Sequence, residues 1–222
     1  MIPDIIVSSD SPVCFVGGGE ISQAPLDTVF PSVSSFVGVD GGADHLLDAG
    51  ISPAAVIGDF DSLSDRARAT FSDVLCHVAE QETTDFEKAL MRVEAPLIYA
   101  VGFTGGRLDH TLGVLNVMAR YSDRSVLLVD DQDVSFVLSR SLDNLLMPAG
   151  ARISLMPLDN LRVTATGLRW PLEDFAMHPA GRTSGSNAAT GDPISVQTNG
   201  PLLVTLSRAH LASAETAAAH AK

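Results

Sequence analysis

Asp59 and Asp61 stand two residues apart in the segment Ile57-Gly58-Asp59-Phe60-Asp61-Ser62. At the end of a strand, that spacing lets both carboxylates reach one cation, or straddle it through water. A hard divalent ion such as Mg2+ takes few carboxylates and completes its shell with water and substrate phosphate. Asp85 is a third candidate oxygen donor. Each aspartate alone has a plainer role as a turn or helix cap. The strand-end D-x-D in acidic surroundings favours metal or phosphate chemistry.

Two glycine-rich segments suit the same chemistry. They are Gly17-Gly18-Gly19-Glu20 and Gly102-Phe103-Thr104-Gly105-Gly106-Arg107. Glycine lets backbone N–H groups approach phosphate closely, and a following helix N-terminus favours anions. Arg107 adds a planar fork for phosphate. Neither segment is a P-loop, because G-x-x-x-x-G-K-[ST] is absent. Asp109 opens the next helical pattern, where capping is its simplest role, and His110 reads as structural. Trp170 is the sole tryptophan. It either fills core or offers a flat wall to an aromatic ligand. Thr183-Ser184-Gly185-Ser186-Asn187 is an ordinary loop or a set of hydrogen-bonding groups for a heterocycle.

The elements that must position these groups follow from apolar patterning. Val13–Val16, Phe36–Val39, Ala55–Ile57, Leu75–Val78, Leu97–Val101 and Val126–Val129 are short, β-rich and nearly all apolar, as strands buried on both faces should be. Between them, Phe86, Ala89, Leu90 and Val93 form one helical stripe, with Thr84 or Asp85 as its cap. Leu108, Leu112, Leu115 and Met118 form another. The alternation predicts a parallel or mostly parallel α/β sheet over residues 1–140. Gly17, Asp40, Asp59, Gln81 and Arg107 each fall at or just after a predicted strand, where open α/β sheets bind ligands.

The pattern changes near residue 141. Ile153, Leu155, Leu161, Val163 and Ala165 alternate with polar residues, so residues 141–208 read as a small all-β domain. Ile194–Thr198 and Leu202–Leu206 flank Asn199-Gly200, the dipeptide favoured by type I′ turns, and predict a hairpin. The Ala-rich tail, residues 209–222, predicts a frayed helix or disorder.

The chain has 222 residues, enough for one large domain or two small ones. No apolar run reaches the ~18 residues that cross a bilayer, and Met1–Pro12 lacks the basic start of a signal peptide. Two cysteines, Cys14 and Cys76, make no disulfide framework and predict free thiols in a reducing cytoplasm. The net charge of −13 sits wholly in residues 1–140, which hold 21 acidic against 8 basic residues. With no basic stripe, nucleic-acid binding is not expected. An acidic crevice instead suits a divalent cation or a positively charged substrate.

The motifs DGGADHLLDAG, GDFDS, QETTDFEKAL, GGRLDHTLGVL, GLRWPL and TSGSN, in that order, resemble the thiamine pyrophosphokinase family. The resemblance runs from Cys14 to about Leu206. It implies an N-terminal, mostly parallel, Rossmann-like α/β domain followed by a C-terminal β-sandwich, assembled as a cytoplasmic homodimer. It implies transfer of the terminal pyrophosphate of ATP, with Mg2+, to the hydroxyl of thiamine, releasing AMP. By the same resemblance Asp59, Asp61 and Asp85 match Mg2+ and phosphate positions, and Asp109 another acidic site position. Gln81 and Arg107 match ATP-contacting positions, and Asp40 the acid beside the crevice. Trp170, Ser184, Ser186 and Asn187 match the thiamine-binding region near the dimer interface. Asp44 stands where the family often has Asn, and Glu82 where an Asp is common.

Two other readings fit part of the sequence. A haloacid-dehalogenase-type phosphatase would use Asp59 as nucleophile and Asp130-Asp131 as its acidic pair. Its D-x-D normally opens the chain, though, and it leaves GGRLDH and the β-rich part unexplained. A non-catalytic thiamine or nucleotide sensor would use the same pocket without turnover.

Overall fold

A computed structural model describes residues 3–220, apart from the side chains of Gln23 and His220. Two compact units divide between Val117 and Met118. The first holds β1 (Val7–Ser8), β2 (Val13–Val16), α1 (Gln23–Val29), β3 (Ser35–Val39), α2 (Gly42–Asp48), β4 (Ala55–Gly58) and α3 (Asp65–Thr70). These are followed by β5 (Leu75–His77), α4 (Asp85–Leu90), β6 (Val93–Glu94), β7 (Ile98–Val101) and the start of α5 (Leu108–Arg120).

Strands β7, β2, β3, β4 and β5 lie side by side in that order, and every neighbouring pair is parallel. All residues of β2, β4 and β7 are buried. This explains why the strands read as unbroken apolar runs, since a sheet covered on both faces leaves no side for polar residues. From β2 the chain steps outward through β3, β4 and β5, then returns to place β7 on the other side of β2. Strand order therefore reverses at β2, and the loops after β2 and β7 lie at the kind of switch point where open α/β sheets bind ligands.

Helix α4 begins as its sequence predicts. Thr84 caps it, its Oγ1 accepting the Glu87 N–H at 3.3 Å. Phe86, Ala89, Leu90 and Val93 are buried, although the helix stops at Leu90 and Val93 belongs to β6. The stripe expected on α5 is corrected. Of its members Met118 is buried as expected, but Leu108 is 71% exposed and Leu112 56%, and Val114 and Val117 are buried in their place. The helix carries two apolar faces at the same period, and periodicity alone does not say which one packs.

The second unit holds β8 (Val126–Val129), β9 (Asp133–Leu138), β10 (Ser141–Leu145), β11 (Arg152–Pro157), β12 (Leu161–Thr166), β13 (Leu172–Met177), β14 (Ser184–Ala188), β15 (Ile194–Thr198), β16 (Leu202–Ser207) and α6 (Leu211–His220). Strands β14, β11, β16, β9 and β8 pair antiparallel in that order. A separate antiparallel sheet runs β10-β15-β12-β13. Buried and exposed residues alternate along β12, as a strand with one covered face requires.

One expectation fails here. The predicted hairpin does not form, because β15 pairs with β10 and β12 whereas β16 pairs with β9 and β11. Asn199 and Gly200 are not among the residues of positive φ, so the type I′ turn is absent. Instead Asn199 Oδ1 accepts the Arg162 N–H at 2.8 Å and Thr198 Oγ1 donates to Gly200 O at 3.0 Å. Pro201 has no N–H to close a ladder, and the chain crosses from one sheet to the other. The tail takes the helical alternative over Leu211–His220, and residues 221–222 of that expectation lie outside the described residues. Leu211, Ala214, Ala217 and Ala218 form a buried stripe on α6, which packs on β8, β9 and β10. Ser125 Oγ donates to Ala218 O at 3.1 Å. Small alanines let this helix lie close to the strands.

Candidate functional site

Asp40 follows β3 directly and takes a left-handed conformation, φ 47°. The next strand makes room for it, since a Cβ on Gly58 would fall 2.9 Å from the Asp40 Cβ. Beyond Gly58 comes Asp59-Phe60-Asp61. Phe60 is also left-handed, φ 68°, which is costly for a bulky residue. Its anchoring explains how the conformation persists. The ring is buried with Ala43, Val56, Leu63, Ala67 and Phe71. The His77 ring lies 5.4 Å from it, centroid to centroid. Arg68 sits over its face at 5.4 Å and donates to Phe60 O at 2.9 Å. With Phe60 turned into the core, the carboxylates on either side of it are left at the surface.

Asp40, Asp59 and Asp61 each offer an oxygen within 4.8 Å of the others. Asp59 Oδ2 accepts Gln81 Nε2 at 2.8 Å and Lys88 Nζ at 3.3 Å, and Asp59 Oδ1 accepts the Asp61 N–H at 3.3 Å. The Gln81 bond is the main reason its carboxyl titrates below the ordinary range, with Lys88 adding to it. Asp40 is shifted the other way. Burial is the largest cause, and the neighbouring charges of Asp85, Asp61 and Asp59 add to it against the opposing Gly41 N–H. Asp40 Oδ1 is buried with no hydrogen-bond partner among the described residues.

Asp85 stands beside this cluster and binds Lys88 Nζ through Oδ1 at 3.0 Å. Burial pulls the Lys88 ammonium toward neutrality, but Asp85 and Asp59 outweigh it and hold its pKa above the usual value. The sequence reading missed Lys88. Its signal was an Asp-x-x-Lys spacing inside a short helix whose other residues are apolar or acidic. Asp44 captures the start of α3, its carboxylate accepting the Ser64 N–H at 3.1 Å and the Ser64 hydroxyl.

The glycine loops after β2 and β7 are tied together. The Gly17 N–H donates to Val101 O and the Gly19 N–H to Gly102 O, both at 2.8 Å. A Cβ on Gly17 would fall 2.6 Å from Gly102 O, so this approach requires glycine. Gly102, Gly105 and Gly106 all have positive φ. Arg107 grips Asp109 with both arms of its fork, at 3.2 and 2.6 Å. Both side chains are well exposed.

In the second unit, Trp170 is 54% exposed, which removes core filling as its main role. Arg169 lies over its ring at 4.9 Å. Asn187 is buried, and its amide clasps the Trp170 backbone from both sides. Nδ2 donates to Trp170 O at 2.8 Å and Oδ1 accepts the Trp170 N–H at 3.2 Å. Nδ2 also donates to Ser184 Oγ at 3.1 Å. Ser186 is exposed and left-handed, φ 57°, its N–H donating to Ser154 Oγ at 3.0 Å.

The acidic edge has the make-up of a divalent-cation site. It presents hard oxygen donors, one buried carboxylate oxygen has no partner among the described residues, and the glycine loops come from neighbouring strand ends. The exposed tryptophan region has the make-up of a wall for a flat ring.

Comparison with known proteins adds independent findings. Residues 26–129 match the family model described as thiamin pyrophosphokinase, catalytic domain. Residues 140–203 match the one described as thiamin pyrophosphokinase, vitamin B1 binding domain. A thiamine pyrophosphokinase of Bacillus subtilis is 32% identical over 172 residues, covering 72% of this chain and 80% of the relative. Thiamine pyrophosphokinase 1 of rice is 27% identical over 174 residues, covering 70% of this chain and 66% of the relative. The crystal structure of a thiamin pyrophosphokinase from Geobacillus thermodenitrificans superimposes with a TM-score of 0.74 at 30% identity. It covers 88% of this chain and 97% of that one. Among the described residues no helix is long and apolar enough to cross a membrane.

Proposed function

The chain belongs to the thiamin pyrophosphokinase family, and we propose that it transfers the pyrophosphoryl group of ATP to the hydroxyl of thiamine, giving thiamine diphosphate and AMP. The observation that carries this reading is the convergence of Asp40, Asp59 and Asp61 at neighbouring strand ends, their oxygens within 4.8 Å. In this reaction the thiamine oxygen bonds to the β-phosphorus of ATP as the bond to the oxygen bridging the α- and β-phosphates breaks. Such a displacement is mainly a matter of positioning and charge neutralisation.

Mg2+ fits the oxygen donors present. Asp59 and Asp61 would hold it, with an oxygen of Asp40 within 4.8 Å of theirs and Asp85 beside them. The ion would supply positive charge against the phosphates. The chain's own groups do the rest. Gln81 and Lys88 fix the Asp59 carboxylate. Gly17 and Gly102 bring backbone close to the nucleotide. Arg107, preset by Asp109, turns its fork to phosphate. The carboxylates of the acidic edge are acceptors for the hydroxyl proton.

Trp170 would stack on thiamine, with Ser184 and Ser186 bonding its polar edge and Asn187 holding the tryptophan segment. The acidic excess of residues 1–140 attracts the cationic thiazolium. We assign residues 1–140 to catalysis and the 141–208 segment, as a β-sandwich, to thiamine binding and homodimer formation, each site drawing on both chains. Free Cys14 and Cys76 support a reducing, cytoplasmic setting.

Isosteric Asp59→Asn and Asp61→Asn test the reading. Each should lower kcat/KM at least ~100-fold, about 2.7 kcal/mol of transition-state stabilisation, with the fold intact. Near-normal activity of both at saturating Mg2+ would remove the edge from the reaction.

A further inference from the structure

Lys88 is a charged residue with only 1% of its surface exposed. Its ammonium is shared between Asp59 Oδ2 at 3.3 Å and Asp85 Oδ1 at 3.0 Å. Asp59 is at the same time one of the three carboxylates clustered within 4.8 Å. Of its two oxygens, Oδ2 is bound to Lys88 and Gln81, and Oδ1 to the Asp61 N–H. A cation that takes Asp59 as a ligand therefore shares a carboxylate with a fixed ammonium. Two like charges on one carboxylate repel, and the repulsion is weakly screened where water is scarce. The lysine has little room to relieve it, because its stem is enclosed and leaving would take the ammonium from both Asp59 and Asp85.

Without a bound ion the edge would have the opposite difficulty. Asp40, Asp59, Asp61 and Asp85 lie close together, and the Lys88 ammonium is what compensates Asp59 and Asp85 when no metal is bound. Polyphosphate changes this balance, since its negative charge attracts the ammonium and the metal ion together.

We infer that Lys88 is a resident cation that holds Asp59 and Asp85 in place while the edge is empty and suppresses binding of a free divalent ion, so that the ion loads together with nucleotide phosphate. The inference rests on the acidic edge being a divalent-cation site. Lys88 acts through Asp59 and Asp85 and is a positioning residue. A lysine that only braced the fold would change stability and leave the coupling between ion and nucleotide untouched.

The test is direct Mn2+ binding to the full chain, followed by the electron paramagnetic resonance signal of the free ion, with and without a non-hydrolysable ATP analogue. Lys88→Met should bind Mn2+ at least about tenfold more tightly than wild type when no nucleotide is present. Lys88→Arg, which keeps the charge, should stay within about threefold of wild type. The analogue should tighten Mn2+ binding far more in wild type than in Lys88→Met. Equal or weaker Mn2+ binding by Lys88→Met would overturn the inference while leaving the cation site standing. No Mn2+ binding by any chain, even with the analogue, would remove the cation site and the inference with it. Should Lys88→Met fail to fold in EDTA, it is refolded against MnCl2. Recovery at concentrations too low to load wild type supports the inference, and failure at saturating Mn2+ contradicts it.

Discussion

Gln81 donates from Nε2 to Asp59 Oδ2 at 2.8 Å, joining positions 22 residues apart at the end of the sheet. This bond does most to hold the Asp59 carboxyl below its ordinary pKa. A carboxyl whose folded pKa is depressed contributes stability that is complete above the unfolded value, about 4. That contribution is lost as pH falls through the folded value. Gln81→Leu should therefore be less stable than wild type at pH 7, with the gap closing in acid. Its kcat/KM should fall about tenfold, since a hydrogen bond to a charged group is worth on the order of 1.5 kcal/mol. Denaturant melts across pH, with steady-state kinetics, check both. Unchanged stability and rate would mean that Gln81 does not hold Asp59.

Asp40 presents the reverse sign. Burial and the surrounding carboxylates raise its pKa, and one of its oxygens has no partner among the described residues. Its charge therefore destabilises the metal-free fold at neutral pH, and the penalty fades as pH falls toward the unfolded value. Asp40→Asn keeps the shape, and asparagine tolerates the left-handed backbone found here. The variant should melt higher than wild type by about 2 °C or more at pH 7.5 in EDTA, and no higher near pH 4. Its turnover should drop. A lower melting temperature at pH 7.5 would show that Asp40 is satisfied in the folded chain.

Much of this was legible in the sequence, for physical reasons. β2, β4 and β7 are covered on both faces, so each appears as a bare apolar run. Asp59 and Asp61 were visible because a strand-end D-x-D needs only local geometry. The Lys88–Asp59 contact spans 29 positions, and no local pattern announces it. Asn199-Gly200 misled because its turn preference is weaker than the pull of two sheets on β15 and β16, with Pro201 barring the hairpin ladder. Leu108 and Leu112 misled because α5 has a second apolar face, where Val114 and Val117 are buried next to the correctly expected Met118.

Arg107→Lys keeps the charge and loses the planar fork that now grips Asp109. Saturation kinetics should show weaker use of ATP, with the KM for thiamine little changed. A change confined to the thiamine KM would assign Arg107 to the other substrate.

Trp170 and Asn187 should separate in their effects. Trp170 is 54% exposed, so Trp170→Ala should leave the fold intact while raising the thiamine KM about tenfold or more. Asn187→Ala removes a buried clasp on the Trp170 backbone and should cost about 1–3 kcal/mol of stability. In a homodimer with shared sites, mixing Asp59→Asn with Trp170→Ala chains should restore activity. A mixture no more active than its parents, with subunit exchange verified, would place each site within one chain.

The most direct measurement is product analysis by 31P NMR after incubating the purified chain with ATP, Mg2+ and thiamine. The predicted result is AMP and thiamine diphosphate appearing one for one, with neither formed when thiamine is omitted. Release of inorganic phosphate or ADP without thiamine diphosphate, or no turnover at all, would contradict the pyrophosphoryl transfer assigned to the Asp59–Asp61 edge.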